Sequence, residues 1–224
     1  MKREIIKTAD GSSTIYLPEL NEHYHSTHGA IQEAQHVFIK MGLLEVISRK
    51  NPSEISILEI GFGTGLNALV TWQQILNKNI ALNYTGVEAY PIPEEEVASL
   101  NFPEELSEIN GRSFFKKLHA GSWEEAHKLS ENFTLTKQKK FFHEIDDKLQ
   151  YDLIYFDAFG ARVQPDLWTV DIFKKMYESL IPGGILVTYA AKGSVRRAML
   201  EVGFLVERLP GPPGKREMLR ATKK

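Results

Sequence analysis

The chain has 224 residues, of which 42% are hydrophobic and 25% are charged, and its formal net charge is −2. A chain of this length can bury one substantial core. It contains no cysteine, which excludes a disulfide framework, cysteine-ligated zinc and a cysteine nucleophile. The polar N-terminus shows no signal peptide, and no stretch approaches about 20 apolar residues. We therefore expect a cytoplasmic protein without a membrane partner.

The first 50 residues predict a hairpin followed by a long helix. The dipeptide Asp10-Gly11 is a strong turn signal between two apolar runs, and it predicts a hairpin over residues 3–17. An apolar stripe with helical spacing predicts a helix from about residue 29 to residue 49. Either Ser26 or Thr27 is expected to cap its start.

A polar segment that contains three histidines, His23, His25 and His28, lies between the hairpin and the helix. Histidines can ligate metals, but no neighbouring cysteine or aspartate completes a set of ligands. We interpret the segment as a functional loop and predict no metal site.

The next predicted elements are a buried strand, a glycine turn and a helix. Residues 55–60 form a short apolar run that leads directly into Gly61, Gly63 and Gly65, and a helical pattern begins at Leu66. This order brings backbone N–H groups of an α/β protein against a ligand. The spacing differs from the dinucleotide fingerprint and from the P-loop motif.

Two acidic residues lie beside this turn in the predicted sheet. Glu59 ends the first strand, where a carboxylate suits a ligand with a cationic amine, and Glu88 ends the next, where it could accept both ribose hydroxyls. With the three glycines they resemble the S-adenosylmethionine site of Rossmann-like methyltransferases. The alternative is a tight strand-to-helix turn in some other α/β protein.

The second half of the chain repeats the α/β pattern. Alternation at Phe133 and Leu135 predicts a third strand, and residues 151–157 form a fourth that ends at Asp157. A long loop follows, which is typical of a substrate site at the carboxyl end of a strand. A further helix, strand and helix precede a closing hairpin over residues 204–222. The charged run at residues 137–140 is interpreted as a solvated strand end.

These elements predict an α/β fold of the Rossmann-like class I methyltransferase type. We expect a seven-stranded, mostly parallel sheet with a C-terminal antiparallel hairpin. Residues 1–224 are expected to form a single S-adenosylmethionine-dependent methyltransferase domain, with an N-terminal hairpin, lid and helix in residues 1–50 and the core in residues 53–224.

Charge is distributed unevenly along the chain. Residues 190–224 hold nine lysines and arginines and three acids, a net charge of +6, which leaves −8 on the remainder. This asymmetry favours contact between a polyanion and one end of the molecule. A solvated basic edge on an acidic protein is the alternative.

Five stretches together resemble one family: EIGFGTGLN at 59–67, FDAF at 156–159, PDLW at 165–168, VRRAMLEVGF at 195–204 and GKREM at 214–218. They resemble the methyltransferase half of the bifunctional tRNA 5-methylaminomethyl-2-thiouridine biosynthesis proteins. The resemblance implies methylation of the 5-aminomethyl group of (2-thio)uridine at the tRNA wobble position. It does not imply the preceding flavin-dependent step, for which 224 residues leave no room.

The resemblance also implies roles for individual residues. The S-adenosylmethionine site would comprise Glu59, Gly61, Phe62, Gly63, Gly65, Asn67 and Glu88, with Tyr24 in a lid. Substrate contacts would come from Phe159, Lys215, Arg216, Arg196 and Arg197, with the basic residues binding phosphates of the anticodon stem-loop. Relatives usually carry a Gly-Asp pair near the adenine, whereas this chain has KQKKFFHEID after its third strand.

Asp157 is the candidate catalytic residue. An alkyl ammonium must lose a proton before it can attack, and a carboxylate beside the nitrogen can accept that proton. A role in capping the loop is the alternative for Asp157. Phe159 is placed to stack on the uracil or to pack in the core.

Two other functions share these features. A small-molecule amine methyltransferase or an aminopropyltransferase resembling spermidine synthase would carry the same turn and the same acidic strand end. A non-enzymatic S-adenosylmethionine-binding module is the third reading of the sequence.

Overall fold

The computed structural model describes residues 2–224, and its strands form two sheets. The strands, in chain order, are β1 (Glu4–Lys7), β2 (Ser13–Leu17), β3 (Glu22–His23), β4 (Glu54–Ile60), β5 (Ala81–Val87), β6 (Ala126–Ser130), β7 (Phe133–Gln138), β8 (Tyr151–Phe156), β9 (Leu180–Thr188), β10 (Leu205–Pro210) and β11 (Glu217–Thr222). The first three form a small antiparallel sheet, which extends the predicted hairpin by one short strand.

The helices are α1 (Ala30–Ala34), α2 (Leu44–Lys50), α3 (Leu66–Ile75), α4 (Glu94–Ala98), α5 (Phe102–Leu106), α6 (Gly111–Ala120), α7 (Val170–Ser179) and α8 (Gly193–Glu201). A π-helical segment, Gln35–Leu43, joins α1 directly to α2, so residues 30–50 form one continuous helical rod. None of the helices in residues 2–224 combines the length and the apolar character that a membrane crossing requires.

The central sheet has eight strands in the order β10-β11-β9-β8-β4-β5-β7-β6. Five neighbours, from β9 to β7, run parallel, while β11 and β6 run antiparallel to the strands beside them. The predicted parallel core and antiparallel hairpin are confirmed. The predicted count of seven was one too few, because β6 adds a second antiparallel edge.

The residues of β6 carry no clear strand pattern. Along Ala126–Ser130 only Leu129 is buried, so the strand lacks the apolar alternation that identifies a half-buried strand. Its neighbour β7 does alternate, and it is held between β5 and β6.

Apolar side chains fill both faces of the sheet. One cluster contains Phe38, Leu69 and Phe115 from the helical rod, α3 and α6, and the opposite cluster contains Phe173 and Met199 from α7 and α8. Burial on both faces is the arrangement expected of a parallel sheet. It leaves the carboxyl ends of the strands as the place where polar side chains gather.

The start of the helical rod is capped differently from the prediction. Residue Gly29 occupies the cap position and no side chain of Ser26 or Thr27 bonds there. Instead, the carboxylate of Asp10, in the hairpin turn, accepts the backbone N–H of Gln32 at 3.0 Å. A tertiary contact therefore replaces the local cap and ties the hairpin to the helix.

Lys137 is also unlike its prediction as a solvated residue. Its side chain is buried, Nζ donates to the carbonyl oxygen of His119 at 2.8 Å, and it lies 5.2 Å from the ring centroid of Trp123. Burial lowers the pKa of this lysine. The apolar stem lies in the sheet while the amine reaches a carbonyl group.

Candidate active site

The carboxyl ends of β4, β5 and β8 open onto a cavity of about 720 Å³. Ten of the predicted site residues line it: Tyr24, Glu59, Gly61, Phe62, Gly63, Asn67, Glu88, Asp157, Phe159 and Lys215. Four do not: Gly65, Arg196, Arg197 and Arg216. Ligands of open α/β sheets bind at this edge, because the connecting loops there carry free backbone and side-chain groups.

The glycine turn redirects the chain from β4 into α3. Its three glycines have positive φ values of 89°, 46° and 72°, a region that side chains with a Cβ rarely adopt. Tyr24 packs against Gly63, and His119 packs against Gly65, where a Cβ would lie 3.1 Å from the histidine Nε2. The backbone at Gly65 therefore faces protein, and only the first part of the turn faces the cavity.

A row of three polar side chains crosses the cavity wall from the glycine turn to the end of β8. In this Glu59–Asn67–Asp157 row, the Asn67 amide donates to Glu59 at 2.8 Å and to Asp157 at 2.9 Å. Tyr84 donates to the second oxygen of Glu59 at 2.8 Å. Glu59 is thus held by two side chains, and Asn67 fixes Asp157 relative to the turn.

The environment shifts the acidity of both carboxyl groups. Burial, with the nearby carboxylate of Glu33, raises the pKa of Asp157 to about 7, although Asn67 and Lys215 act in the opposite direction. Burial also raises the pKa of Glu59 well above its usual range. Asp157 therefore exchanges a proton near neutral pH, which is what a general base needs.

Glu88 lies at the end of β5 beside the turn. One carboxylate oxygen accepts the N–H of Gly63 at 3.0 Å and the other accepts the N–H of Tyr90 at 2.9 Å. Each oxygen retains a lone pair after these bonds, so the carboxylate is held in position and can still accept a ligand hydroxyl.

Two aromatic side chains cover the cavity near Asp157. The rings of Tyr24 and Phe159 meet edge to face, with centroids 5.0 Å apart and planes at 84°. Tyr24 comes from the N-terminal segment and Phe159 from the loop after β8, so the lid and the loop contact each other directly. Both rings are half-buried and retain area for a ligand.

The side chains of the neighbouring residues Lys215 and Arg216 have different surroundings. Lys215 points into the cavity, where its amine pairs with Glu33 and lies 3.9 Å from the ring centroid of Tyr189. Arg216 is exposed and has no ion pair or side-chain hydrogen bond within residues 2–224. Lys215 therefore lines the cavity and Arg216 does not, and the phosphate contacts of both residues stay a prediction.

Three of the nine cations in residues 190–224 are paired within the protein. Arg220 pairs with Glu207 and Glu45, Arg208 pairs with Glu217, and Lys215 pairs with Glu33. Arg196 and Arg197 lie on α8, outside the cavity, and make no ion pair within the described residues. The other cations of this segment without an ion pair in residues 2–224 are Lys192, Arg216, Lys223 and Lys224.

Several cavity residues had no signal in the sequence. Glu33 lies among ordinary polar positions of α1, and Tyr189 and Lys192 follow β9 without a recognisable motif. Tyr90 and Phe142 line the cavity beyond Glu88. Their position just after the carboxyl ends of β5, β7 and β9 is the one feature that would have indicated them.

These residues fit an S-adenosylmethionine group. The side-chain oxygen of Asn67 is buried and has no hydrogen-bond partner within residues 2–224, although it borders the cavity. A buried acceptor without a partner costs about 1–3 kcal/mol, and an ammonium donor would satisfy it. Glu88 offers acceptors for hydroxyls, and the cavity adds aromatic surface beside it.

His25 joins the N-terminal sheet to the glycine turn. Its backbone N–H donates to the Thr14 hydroxyl at 3.0 Å, and the same hydroxyl is hydrogen-bonded to Nδ1 at 3.1 Å. Nε2 is hydrogen-bonded to the hydroxyl of Thr64 at 3.0 Å. Burial lowers the pKa of His25 to about 4. No cluster of histidine, aspartate or glutamate side chains able to hold a metal occurs in residues 2–224.

Replacement of His25 by glutamine is expected to weaken the acid sensitivity of folding. A histidine whose folded pKa is lowered to about 4 contributes stability that is complete above its unfolded pKa of about 6.5 and is lost as the pH falls. Wild type should therefore lose about 1–2 kcal/mol more unfolding free energy than the variant between about pH 7 and pH 5. Denaturant titrations across that range measure the difference. Parallel curves would show that His25 is protonated as easily in the fold as in the unfolded chain.

Comparison with known proteins finds similarity to methyltransferases. A family model described as S-adenosyl-L-methionine-dependent methyltransferase matches residues 114–224. The chain is 30% identical to the tRNA 5-methylaminomethyl-2-thiouridine biosynthesis bifunctional protein MnmC of Cupriavidus necator, and the alignment covers 98% of this chain and 34% of that protein. The chain thus spans about a third of the length of this curated relative.

Two solved structures share the fold. MnmC2 from Aquifex aeolicus superposes with a TM-score of 0.81 at 26% identity, covering 100% of this chain and 70% of that one. A probable spermidine synthase from Corynebacterium glutamicum gives a TM-score of 0.56 at 18% identity, covering 98% and 76%. The second likeness shows the fold alone.

Proposed function

We propose that this chain N-methylates the 5-aminomethyl group of (2-thio)uridine at the wobble position of tRNA, with S-adenosyl-L-methionine as the methyl donor. The match of residues 114–224 to a family model described as S-adenosyl-L-methionine-dependent methyltransferase supports the proposal, as does the similarity to the tRNA 5-methylaminomethyl-2-thiouridine biosynthesis bifunctional proteins. The observation that carries the proposal is the Glu59–Asn67–Asp157 row. It connects the cofactor turn to a carboxyl group that exchanges a proton near neutral pH. Since tRNA is the substrate, we place the reaction in the cytoplasm.

The cofactor supplies an electrophilic methyl group on a sulfonium centre. For this chain, we assign the methionine amine to the acceptors of the row, chiefly the oxygen of Asn67, and the ribose hydroxyls to Glu88. Tyr90 and Phe142 line the cavity next to Glu88 and form the adenine side of the site. Phe142 lies in the segment after the third strand, where relatives usually carry a Gly-Asp pair.

Asp157 acts as the proton acceptor in the proposed reaction. The substrate arrives as an ammonium ion, and a carboxylate with a pKa of about 7 takes one proton from it at neutral pH. The amine nitrogen then carries a free lone pair toward the sulfonium methyl group, and the product is a secondary ammonium. Asn67 holds the accepting carboxylate at a fixed distance from the glycine turn, which supports alignment of the two reactants.

Aromatic and basic groups place the nucleotide. Phe159 presents a half-buried ring at the cavity, suited to stacking on a uracil that is turned out of the anticodon loop. Arg196, Arg197 and Arg216 have no ion pair within the described residues, and we assign them to phosphates of the anticodon stem-loop. The phosphate contacts position the RNA and the pocket selects the base.

The test is methylation of tRNA from cells that lack this modification step. Labelled S-adenosylmethionine and purified protein should transfer one methyl group per tRNA, and nucleoside mass spectrometry should find it on the wobble uridine side chain. Methylation of free amines together with inert tRNA would contradict the proposal.

Removal of Arg216 is expected to weaken tRNA binding and its salt dependence. Each lost phosphate contact reduces the slope of log affinity against log salt concentration by about one. Arg216→Ala should show that smaller slope while its affinity for S-adenosylhomocysteine is unchanged. Lys128→Ala is the matched control, because Lys128 is exposed on β6 at the opposite edge of the sheet. Equal slopes for the two variants would remove Arg216 from the RNA surface.

A small-amine methyltransferase or aminopropyltransferase is the second candidate. The acidic residues Glu22 and Glu33 line the cavity together with Asp157, a lining that suits a polycation. Activity on a small amine should depend little on salt, whereas activity on tRNA should fall steeply as salt is added.

A further inference from the structure

Lys215 and Glu33 form an ion pair at the cavity wall, between residues 182 positions apart in the sequence. Glu33, on α1, is buried and its second oxygen accepts the backbone N–H of Ser26 at 2.9 Å. The Lys215 amine is also 3.9 Å from the ring centroid of Tyr189. A carboxylate and an aromatic face together fix the position of the ammonium.

The turn that carries Lys215 is itself held in place. In this closing turn, residues 210–216, the carbonyl oxygen of Pro210 accepts a hydrogen bond from His36 at 2.8 Å. Gly214 lies directly against His28, so close that a Cβ there would be 2.1 Å from the ring, and its φ is 82°. Contacts with His28, just before α1, and with His36, just after it, therefore fix the position of the turn that carries Lys215.

The pair lies next to the proposed base. Tyr189, beneath the Lys215 amine, donates its hydroxyl to the carbonyl oxygen of Ala158 at 2.8 Å, one residue after Asp157. The carboxylate of Glu33 raises the pKa of Asp157 and the amine of Lys215 lowers it. Five titratable groups thus face Asp157: Glu33 from α1, Glu59 from β4, Tyr84 from β5, Tyr189 after β9 and Lys215 from the closing turn.

We propose that Lys215 and Glu33 are positioning residues: Glu33 holds the Lys215 ammonium away from Asp157, so that this carboxylate stays open to the ammonium of the substrate. Without Glu33, the Lys215 amine would keep only the Tyr189 ring, would be attracted to the carboxylate of Asp157 and would occupy the place of the substrate. Without Lys215, an unpaired carboxylate would face Asp157 and favour its protonated form. The inference rests on the proposed amine substrate.

Single variants of Lys215 and Glu33 should shift the midpoint of Asp157 titration in opposite directions. Lys215→Met keeps apolar contact with Tyr189 but removes the charge, and the midpoint of Asp157 titration should rise by about one pH unit. Glu33→Gln should lower it by about as much, with a higher KM for the RNA substrate. The double variant should return close to wild type, and Lys215→Arg should keep the wild-type midpoint.

Carbon-13 NMR of the carboxyl groups measures these midpoints in the full chain without any reaction, with Asp157→Asn identifying the resonance. The pH dependence of kcat should move in the same directions. Thermal unfolding and S-adenosylhomocysteine affinity establish that each variant is folded.

Shifts of equal sign in the two single variants, or no shift, would overturn the inference. A salt slope for tRNA binding reduced by about one in Lys215→Met would instead make Lys215 a phosphate contact. If wild type failed to methylate tRNA while the NMR midpoints moved as expected, the proposed substrate would be wrong and the pairing would stand.

Discussion

Asp157→Asn is expected to reduce kcat for methylation of tRNA by about 10²–10⁴-fold, the range that a positioned general base contributes. The asparagine oxygen can still accept the bond from Asn67, which lies 2.9 Å from the native carboxylate. The geometry of the row should therefore survive, and S-adenosylhomocysteine should bind as it does to wild type. Single-turnover kinetics and calorimetry separate the two quantities.

Asp152→Asn is the matched control for this substitution. Asp152 lies on the same strand but at its other end, where it accepts the N–H of Ser56 and pairs with Lys50, and it should leave kcat unchanged. Wild-type kcat should fall about tenfold per pH unit below about pH 7, since the protonated acid cannot accept a proton. Turnover by Asp157→Asn at the wild-type rate would make Asp157 a structural residue.

Asp157→Asn should also be more stable than wild type above neutral pH. Because burial and Glu33 raise the pKa of Asp157, the wild-type fold loses stability as the pH rises from the unfolded value toward about 7. Asparagine carries no charge and removes that penalty. A proton acceptor poised near neutral pH thus costs stability, as functional sites commonly do.

Gly86→Ala is expected to reduce stability by about 3 kcal/mol and cofactor affinity by at least about tenfold. A Cβ on Gly86 would lie 2.3 Å from Cδ2 of Phe62, whose ring is buried against Gly65 and His119. The ring also lines the cavity, so a displaced ring would enter the ligand site. Chemical denaturation and S-adenosylhomocysteine titration measure the two losses.

Gly111→Ala provides the comparison, because Gly111 begins α6 and no atom lies within 3.5 Å of the added Cβ. Alanine there should be neutral or slightly stabilising, since it favours helix more than glycine does. If both substitutions had the same effect, the contact between Phe62 and β5 would not control the cofactor site.

The parts of the site that could be predicted from sequence are those set by neighbouring residues. Glu59, Glu88 and Asp157 each follow or end an apolar strand, and parallel strands bring their carboxyl ends to one edge. That rule alone places them around one cavity. The family resemblance then suggested which ligand such a cavity holds.

The parts that escaped prediction depend on contacts between distant segments. Nothing near Lys215 in the sequence indicates that it pairs with Glu33, and local composition wrongly described Lys137 as solvated. Asp10 caps the helical rod from another element, so a search for a neighbouring capping side chain failed. Strand β6 is exposed along most of its length and therefore has no apolar pattern to detect.

The closing turn has a consequence for the order in which the active site is assembled during synthesis. The glycine turn and the Glu59–Asn67–Asp157 row lie within the first 157 residues, but the cation that shares the cavity with Asp157 is residue 215. A nascent chain that has emerged only through β9 contains the proposed base and an unpaired Glu33. Contacts across so large a sequence separation form late in folding. The proton-accepting environment is therefore completed only after the closing turn has been synthesised.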